Sequence, residues 1–254
     1  MPTVNLISYT GHGHPDPHYA AKLLAYTKNT RLSLTPDGLQ SFMQKPMSDI
    51  LPELDYMATT IASSWEMLDL VFAISNLSRA TAQQVTRSRD VSFGPEVEKR
   101  ASFAMSSQRV TDLTDVTWDV PPTVKHPEAF DRAMRTAIME YTDLITSGAS
   151  LEDARDVLPM GVHCNLIAKY NFRSLVEMIR ARESLRVQGP YVSIVQQMKQ
   201  ETLNVWPWAS KFFEAKNAKA IRMIEEVALA LRQKPGAMYQ GDAGTLAKAA
   251  DLLK

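Results

Sequence analysis

The chain has 254 residues, 28 basic and 28 acidic side chains, and 45% hydrophobic residues. This length can bury a substantial core in one large domain or two small ones. The balanced charge argues against a non-specific nucleic-acid binder, which carries a basic excess on its surface. No apolar run approaches the length of a membrane span, and no secretory signal is recognisable, so we expect no membrane partner. The one cysteine, Cys164, excludes an intramolecular disulfide and favours a cytoplasmic location.

Strands and helices are both predicted in the first third of the chain. Alternation of apolar and polar residues predicts a strand at Thr3–Tyr9, followed by a loop at Gly11–Pro17. Helical spacing predicts helices at Tyr19–Lys28 and Asp49–Ala62. Glu66–Ser75 is rich enough in β-branched and aromatic residues to be a buried strand.

Ser78 is placed to cap the next helix, which carries Arg79 to Thr86. Asp90–Arg100 contains Gly94-Pro95 and is expected to be a loop. The rest of the chain is mainly helical, with one further strand. The predicted elements are helices at Ala129–Thr146, Leu151–Val157, Asn171–Arg186, Pro190–Val205, Ala215–Lys234 and Thr245–Leu253, and a strand at Gly161–Tyr170.

Arginine, glutamine and serine are concentrated between Ser78 and Arg109. The planar guanidinium group binds phosphate through two parallel hydrogen bonds, and amide and hydroxyl groups bind the polar edges of a sugar or base. Gln84 and Arg87 lie three residues apart and should share a helix face. Ser107 and Arg109 should point to one side of an extended segment, where they could hold one phosphate. The pattern indicates an anionic ligand of the nucleotide class.

Three motifs occur in the order typical of flavin-dependent thymidylate synthases. SRATAQQVTRSR followed by ASFAMSSQRV resembles the signature RHRxxSxxxxSxRY of this family, which is also called ThyX. ARDVLP (Ala154–Pro159) and NFRSLVEMIRAR (Asn171–Arg182) resemble its later blocks, and Gln188 follows them. The resemblance extends roughly from Glu66 to Trp208.

The resemblance implies an α+β fold with a ThyX-like central sheet flanked by long helices, and with extra C-terminal helices. We expect a catalytic domain over residues 1–214 and a helical extension of the same domain over residues 215–254. Members of the family are homotetramers whose active sites combine residues of several subunits, so a homotetramer is expected here.

The implied reaction is methylation of a pyrimidine deoxynucleotide, dUMP, at C5. Methylenetetrahydrofolate would give the carbon, FAD the hydride and NADPH the reducing equivalents. By resemblance Arg182 lies against the pyrimidine ring, where a fixed cation would stabilise developing negative charge. The substrate residues would be Gln84, Arg87, Ser107, Gln108, Arg109, Arg155 and Arg182, and the flavin residues Ser63, Arg87, Ser88, Arg89, Asn171, Arg173, Glu177 and Gln188.

Several positions depart from the family pattern. Ser88 replaces the histidine of RHR, both histidines of the HxSxxEH motif are absent from Ile61–Met67, and Met105 and Val110 replace a polar and an aromatic residue. Two alternatives follow. The same scaffold could methylate dCMP or another pyrimidine nucleotide, or leave a hydroxymethyl group. It could also bind a nucleotide without catalysis.

Two further features have structural interpretations. The segment Gly11–His18 holds three of the five histidines, but their local, proline-rich spacing favours a capping loop, and no metal is predicted. Cys164 follows His163 in a predicted buried strand, with no cationic helix terminus to activate it. It is therefore interpreted as a core residue.

Overall fold

The structure is a computed structural model that describes residues 1–28, 34–87, 90–93, 96–99, 101–182 and 189–214, with the backbone alone for 90–93 and 96–99. The chain divides into two compact units, Met1–Ala209 and Ser210–Lys254. The described part of the second unit contains a short helix at Ser210–Phe213. The predicted C-terminal helices lie outside the described residues, and the expected division between residues 214 and 215 stays a prediction.

A four-stranded antiparallel sheet forms the centre of the first unit. Its strands are β1 (Thr3–Tyr9), β2 (Asp69–Ser78), β6 (His163–Asn171) and β5 (Ala101–Met105), in that spatial order. In the central pair Asp69 lies opposite Asn171 and Ser78 lies opposite His163. The α+β prediction is confirmed, as are the strands predicted near Thr3 and Gly161.

Eight described helices belong to this unit, and they include the predicted ones with small shifts of their ends. They are α1 (Tyr19–Thr27), α2 (Pro36–Met43), α3 (Met47–Thr60), α4 (Arg79–Arg87), α5 (Pro127–Thr146), α6 (Leu151–Ala154), α7 (Phe172–Arg182) and α8 (Pro190–Val205). No helix among the described residues is both long enough and apolar enough to cross a membrane.

The two faces of the sheet differ in burial. Alternate residues of the central strands, such as Phe72 and Ala168, are fully buried, and α4, α7 and α8 pack around that side. On the opposite face Ile167 and Lys169 are exposed. A shallow depression on this exposed face is lined by residues of β2, β5 and β6.

α8 lies along β1 and binds its outer edge. The backbone N–H groups of Val4 and Leu6 donate to the side chains of Gln197 and Glu201, at 3.1 Å and 3.3 Å. The edge strand is therefore hydrogen-bonded to β2 on one side and to side chains of α8 on the other.

Two predictions about local structure were wrong, and one helix was not predicted. Residues 90–93 and 96–99 are not a loop, because they form β3 (Asp90–Phe93) and β4 (Glu96–Lys99), which pair antiparallel, consistent with the alternating Val91 and Phe93. Residues 66 and 67 belong to a 3₁₀-helix, Ala62–Met67, and β2 begins only at Asp69. The helix α2 was not predicted, although Thr35 caps it by accepting the N–H of Gly38 at 3.1 Å.

Candidate functional site

The end of β2 sets the start of α4, as the sequence predicts. Ser78 Oγ accepts the N–H of Thr81 at 3.2 Å and so caps the helix. The N–H groups of Arg79 and Ala80 donate to the carbonyl groups of Val162 and Met160, both at 3.0 Å. The first turn of α4 is thereby fixed against the segment that leads into β6.

α4 presents its polar residues away from the core. Thr81, Ala82 and Val85 are buried, whereas Gln84 and Arg87 are exposed. Because these two lie three positions apart, their side chains occupy neighbouring positions on the exposed helix face. The predicted shared face is confirmed. Ser88 and Arg89, which follow directly, lie outside the described residues.

The residues predicted to hold a phosphate lie just beyond β5. Ser107, Gln108 and Arg109 follow the end of the strand at Met105, and Ser107 and Arg109 are exposed. The prediction of an extended segment was wrong. The hydroxyl of Ser107 accepts the N–H of Arg109 at 3.2 Å, and the chain bends there.

Arg79 connects this bend to the start of α4. Its Nη1 donates to the carbonyl of Ser106 at 3.5 Å, and it also contacts the Cys164 thiol. Burial raises the pKa of Cys164, and the neighbouring guanidinium offsets this only in part. The thiol is therefore poorly suited to nucleophilic attack, as expected for a core cysteine. The spacing of the motifs gave no indication of the contacts made by Arg79.

Arg155 lies in a 3₁₀ turn, Arg155–Val157, which continues α6. Its guanidinium is one-third exposed and lies 3.9 Å from carboxylate oxygens of Glu152 and Asp156. These contacts are at the limit of an ion pair, so they constrain the side chain only weakly.

A partly buried charge cluster lies at the opposite end of the sheet. Arg173 Nη1 donates to Glu66 Oε1 at 2.8 Å, and its Nε donates to Glu177 Oε1 at 3.0 Å. Burial alone would lower the pKa of Arg173, but the hydrogen bonds to Glu177 and Glu66 raise it above its ordinary value. Arg173 thus joins two carboxylates in one cluster.

The second carboxylate oxygen of Glu177 distinguishes this cluster from an ordinary ion pair. Oε2 is buried and has no hydrogen-bond partner among the described residues. A buried acceptor without a donor is costly, so this oxygen suits a ligand that brings an N–H or O–H group. Sequence reasoning named Glu177 but did not predict its pairing with Arg173.

Two other predicted flavin residues lie close to this cluster. Ser63 is exposed and lies three residues before Glu66 in the 3₁₀-helix, where residues three apart lie on the same side. Asn171 caps α7 by accepting the N–H of Ser174 at 2.8 Å, which orients the helix that carries Arg173. Gln188 lies outside the described residues.

The phosphate residues and the charge cluster are not adjacent within one chain. Ser106 bonds to Asn165 near the start of β6, whereas Asn171 ends that strand. At about 3.3 Å per residue, β6 separates the two groups by roughly 20 Å. Arg182 lies further on, at the end of α7, with its guanidinium carbon 5.5 Å from the centre of the Tyr191 ring.

His163 and the Gly11–His18 segment have structural contacts. His163, which had no evident partner in the sequence, has Nδ1 2.9 Å from Thr117 Oγ1 and Nε2 3.4 Å from Asp119. In the Gly11–His18 segment Asp16 accepts the N–H of His18 and pairs with the buried Lys22. Among the side chains that the structure describes, no group of three or more His, Cys, Asp and Glu is arranged to hold a metal ion.

Comparison with known proteins places the chain in a family. The family model described as "Thymidylate synthase complementing protein" matches residues 6–208. The chain is 28% identical over 219 residues to the flavin-dependent thymidylate synthase of Saccharolobus solfataricus, covering 84% of this chain and 76% of the relative. It is 29% identical over 196 residues to that of Geobacter sulfurreducens, covering 76% and 80%. The resemblance seen in the motifs is thus confirmed, and the chain belongs to the thymidylate synthase complementing protein family.

Proposed function

We propose that this protein is a flavin-dependent thymidylate synthase that methylates dUMP at C5, with methylenetetrahydrofolate as carbon donor and NADPH as reductant. The observation that carries the proposal is the partly buried Arg173–Glu66–Glu177 cluster, in which Glu177 Oε2 has no hydrogen-bond partner among the described residues. The chain's relatives are named flavin-dependent thymidylate synthases. The cluster supplies what an enclosed heteroaromatic cofactor requires, which is a buried acceptor beside a fixed cation.

The residues present fit FAD at this end of the sheet. Glu177 Oε2 would accept a hydrogen bond from an N–H or O–H group of the cofactor, and Arg173 would hold Glu177 in place for that contact. Ser63, Asn171 and the exposed Arg87 would complete the described part of the FAD site. Ser88, Arg89 and Gln188, which lie outside the described residues, would contribute as well. FAD, when bound, would supply the hydride, while the protein provides orientation and charge.

The nucleotide would be bound by the exposed donors of α4 and of the bend after β5. Arg109 and Ser107 would bind the phosphate, with Gln108 beside them and Arg155 as a further cation. Gln84 and Arg87 would bind the sugar and base. The Arg182 guanidinium would stabilise the negative charge that develops on the ring as C5 becomes nucleophilic.

A homotetramer would bring the two groups of residues together. The phosphate residues and the charge cluster lie roughly 20 Å apart along β6, so a nucleotide bound by the first group would not reach a cofactor bound by the second within a single chain. The exposed sheet face, which includes Ile7 and Ile167, offers apolar surface for association of subunits. Each active site would then take its arginines from more than one subunit.

Product analysis tests the reaction. The purified protein, supplied with FAD, methylenetetrahydrofolate and NADPH, is incubated separately with dUMP, dCMP and UMP, and the products are identified by mass spectrometry. We expect dUMP alone to gain one methyl group. Methylation of dCMP, or a hydroxymethyl product, would refute the proposed substrate or outcome, and no product from any nucleotide would refute the proposed function.

Sedimentation of the active species tests the tetramer, which an active monomer would exclude.

A further inference from the structure

Arg182 and Tyr191 form a contact between the end of α7 and the start of α8. The Arg182 guanidinium carbon lies 5.5 Å from the centre of the Tyr191 ring, within the range of a cation–π interaction. The Tyr191 side chain is almost fully buried, whereas Arg182 is partly exposed. The ring is therefore the fixed partner of the pair, and the guanidinium is the one that can reach a ligand.

The Tyr191 ring is held by the core of the sheet. It lies beside Tyr170, whose pKa is raised well above its usual value, first by burial and then by the neighbouring Tyr191. Tyr170 in turn packs edge-to-face against Phe103 of β5, with ring centres 5.6 Å apart. Pro190, at the first turn of α8, restricts the backbone next to Tyr191. The ring is consequently enclosed in the core and carried by the first turn of α8.

We propose that Tyr191 is a positioning residue for Arg182, and that its ring fixes the plane of the guanidinium against the pyrimidine. This inference rests on the proposed function. A cation–π contact uses the flat face of the guanidinium and none of its N–H donors. It can orient the group without competing for hydrogen bonds to a substrate. The attraction also becomes stronger when a bound nucleotide excludes water from the site.

Two substitutions separate the ring from the hydroxyl group. Tyr191→Phe keeps the aromatic face, and Tyr191→Leu removes it while retaining an apolar side chain. Phe42→Leu is the matched control, because it removes a buried ring under the ammonium group of Lys45, at 4.5 Å, in the separate helix α2. The single-turnover rate and the dUMP dissociation constant are measured for each variant in the presence of FAD, methylenetetrahydrofolate and NADPH.

We expect Tyr191→Leu to lower the single-turnover rate about 10- to 100-fold, since small misplacements of a catalytic group have effects of this size. Nucleotide affinity should change less than about threefold, because other arginines bind the phosphate. Tyr191→Phe and Phe42→Leu should react like the wild type. A normal rate in Tyr191→Leu, or an equal loss in Tyr191→Phe, would overturn the proposal. A loss of affinity as large as the loss of rate would also overturn it.

A double-mutant cycle on folding tests the contact without reference to activity. Tyr191→Leu, Arg182→Met and the double variant are unfolded in denaturant. The effects on the unfolding equilibrium constant should be non-additive by about two- to thirtyfold, the range of a cation–π interaction. Additive effects would show that the contact does not form. If the wild-type protein converts no pyrimidine nucleotide, the proposed function and the role of the pair in catalysis are refuted. The double-mutant cycle would still show whether the contact between Arg182 and Tyr191 forms.

Discussion

Removal of Arg173 from the partly buried charge cluster should destabilise the fold. Arg173→Met keeps most of the aliphatic length of the side chain but removes the cation that pairs with both Glu66 and Glu177. Breaking a buried ion pair by removing one partner costs about 3–5 kcal/mol. Arg173 and Glu177 are 14% and 17% exposed, but Glu66 is 33% exposed and partly screened by water. We therefore expect a loss of about 2–4 kcal/mol in the free energy of unfolding.

Arg135→Met provides the matched control. Arg135 Nε lies 2.7 Å from Asp131 Oδ2 at the same four-residue spacing as Arg173 and Glu177, but the two side chains are 70% and 34% exposed. Exposed pairs contribute about 0–1 kcal/mol, so this variant should unfold almost like the wild type. Both variants are unfolded in urea at neutral pH and one protein concentration, since association would shift the apparent stability. Equal losses in the two variants would refute the argument that burial makes the Arg173 cluster costly to break.

Three further predictions concern individual side chains. Burial lowers the pKa of His163 below 6.5 despite the nearby Asp119. Its contribution to the free energy of unfolding should therefore be present above pH 6.5 and be lost as the pH falls through the folded-state pKa. Urea unfolding of His163→Gln at several pH values should lack this part of the pH dependence. Tyr170→Phe removes a buried hydroxyl that has no partner among the described residues, so it should leave the free energy of unfolding unchanged or raise it. Tyr141→Phe removes the acceptor of the Leu113 N–H and should lower the free energy of unfolding by about 1 kcal/mol in the same assay. Ser78→Ala should cost about 1 kcal/mol through loss of the helix cap, and a cost near zero in thermal unfolding would contradict the capping role.

Local signals in the sequence predicted much of the fold. The cap at Ser78, the alternation in Thr3–Tyr9 and the proline at the start of α8 each specify structure through their immediate neighbours, and all three agree with the structure. The pairing of Glu66 with Arg173 joins residues 107 positions apart, and no local pattern specifies such a contact. Strand β5 was missed because five residues carry too short an alternation to be distinguished from a loop.

The candidate site was predictable to a similar extent. The family motifs identified the arginines, since guanidinium groups at fixed spacing are visible in the sequence. The bend at Ser107 was not predicted, because a serine hydroxyl can bond to the backbone two residues ahead and turn a segment that otherwise reads as extended. The contact between Arg182 and Tyr191 depends on how α7 and α8 pack, which helical spacing within either element does not specify.

The hydrogen bonds from β1 to α8 have a consequence for solubility. An edge strand with free N–H groups is a template on which a strand from another molecule can add, and this is a common route to aggregation. Here Gln197 and Glu201 accept the outward N–H groups of Val4 and Leu6. A strand that added at this edge would have to displace both side chains, one of them an acidic residue. The β1 edge is therefore closed to strand addition by a second molecule, even at the high local concentration of newly synthesised chains.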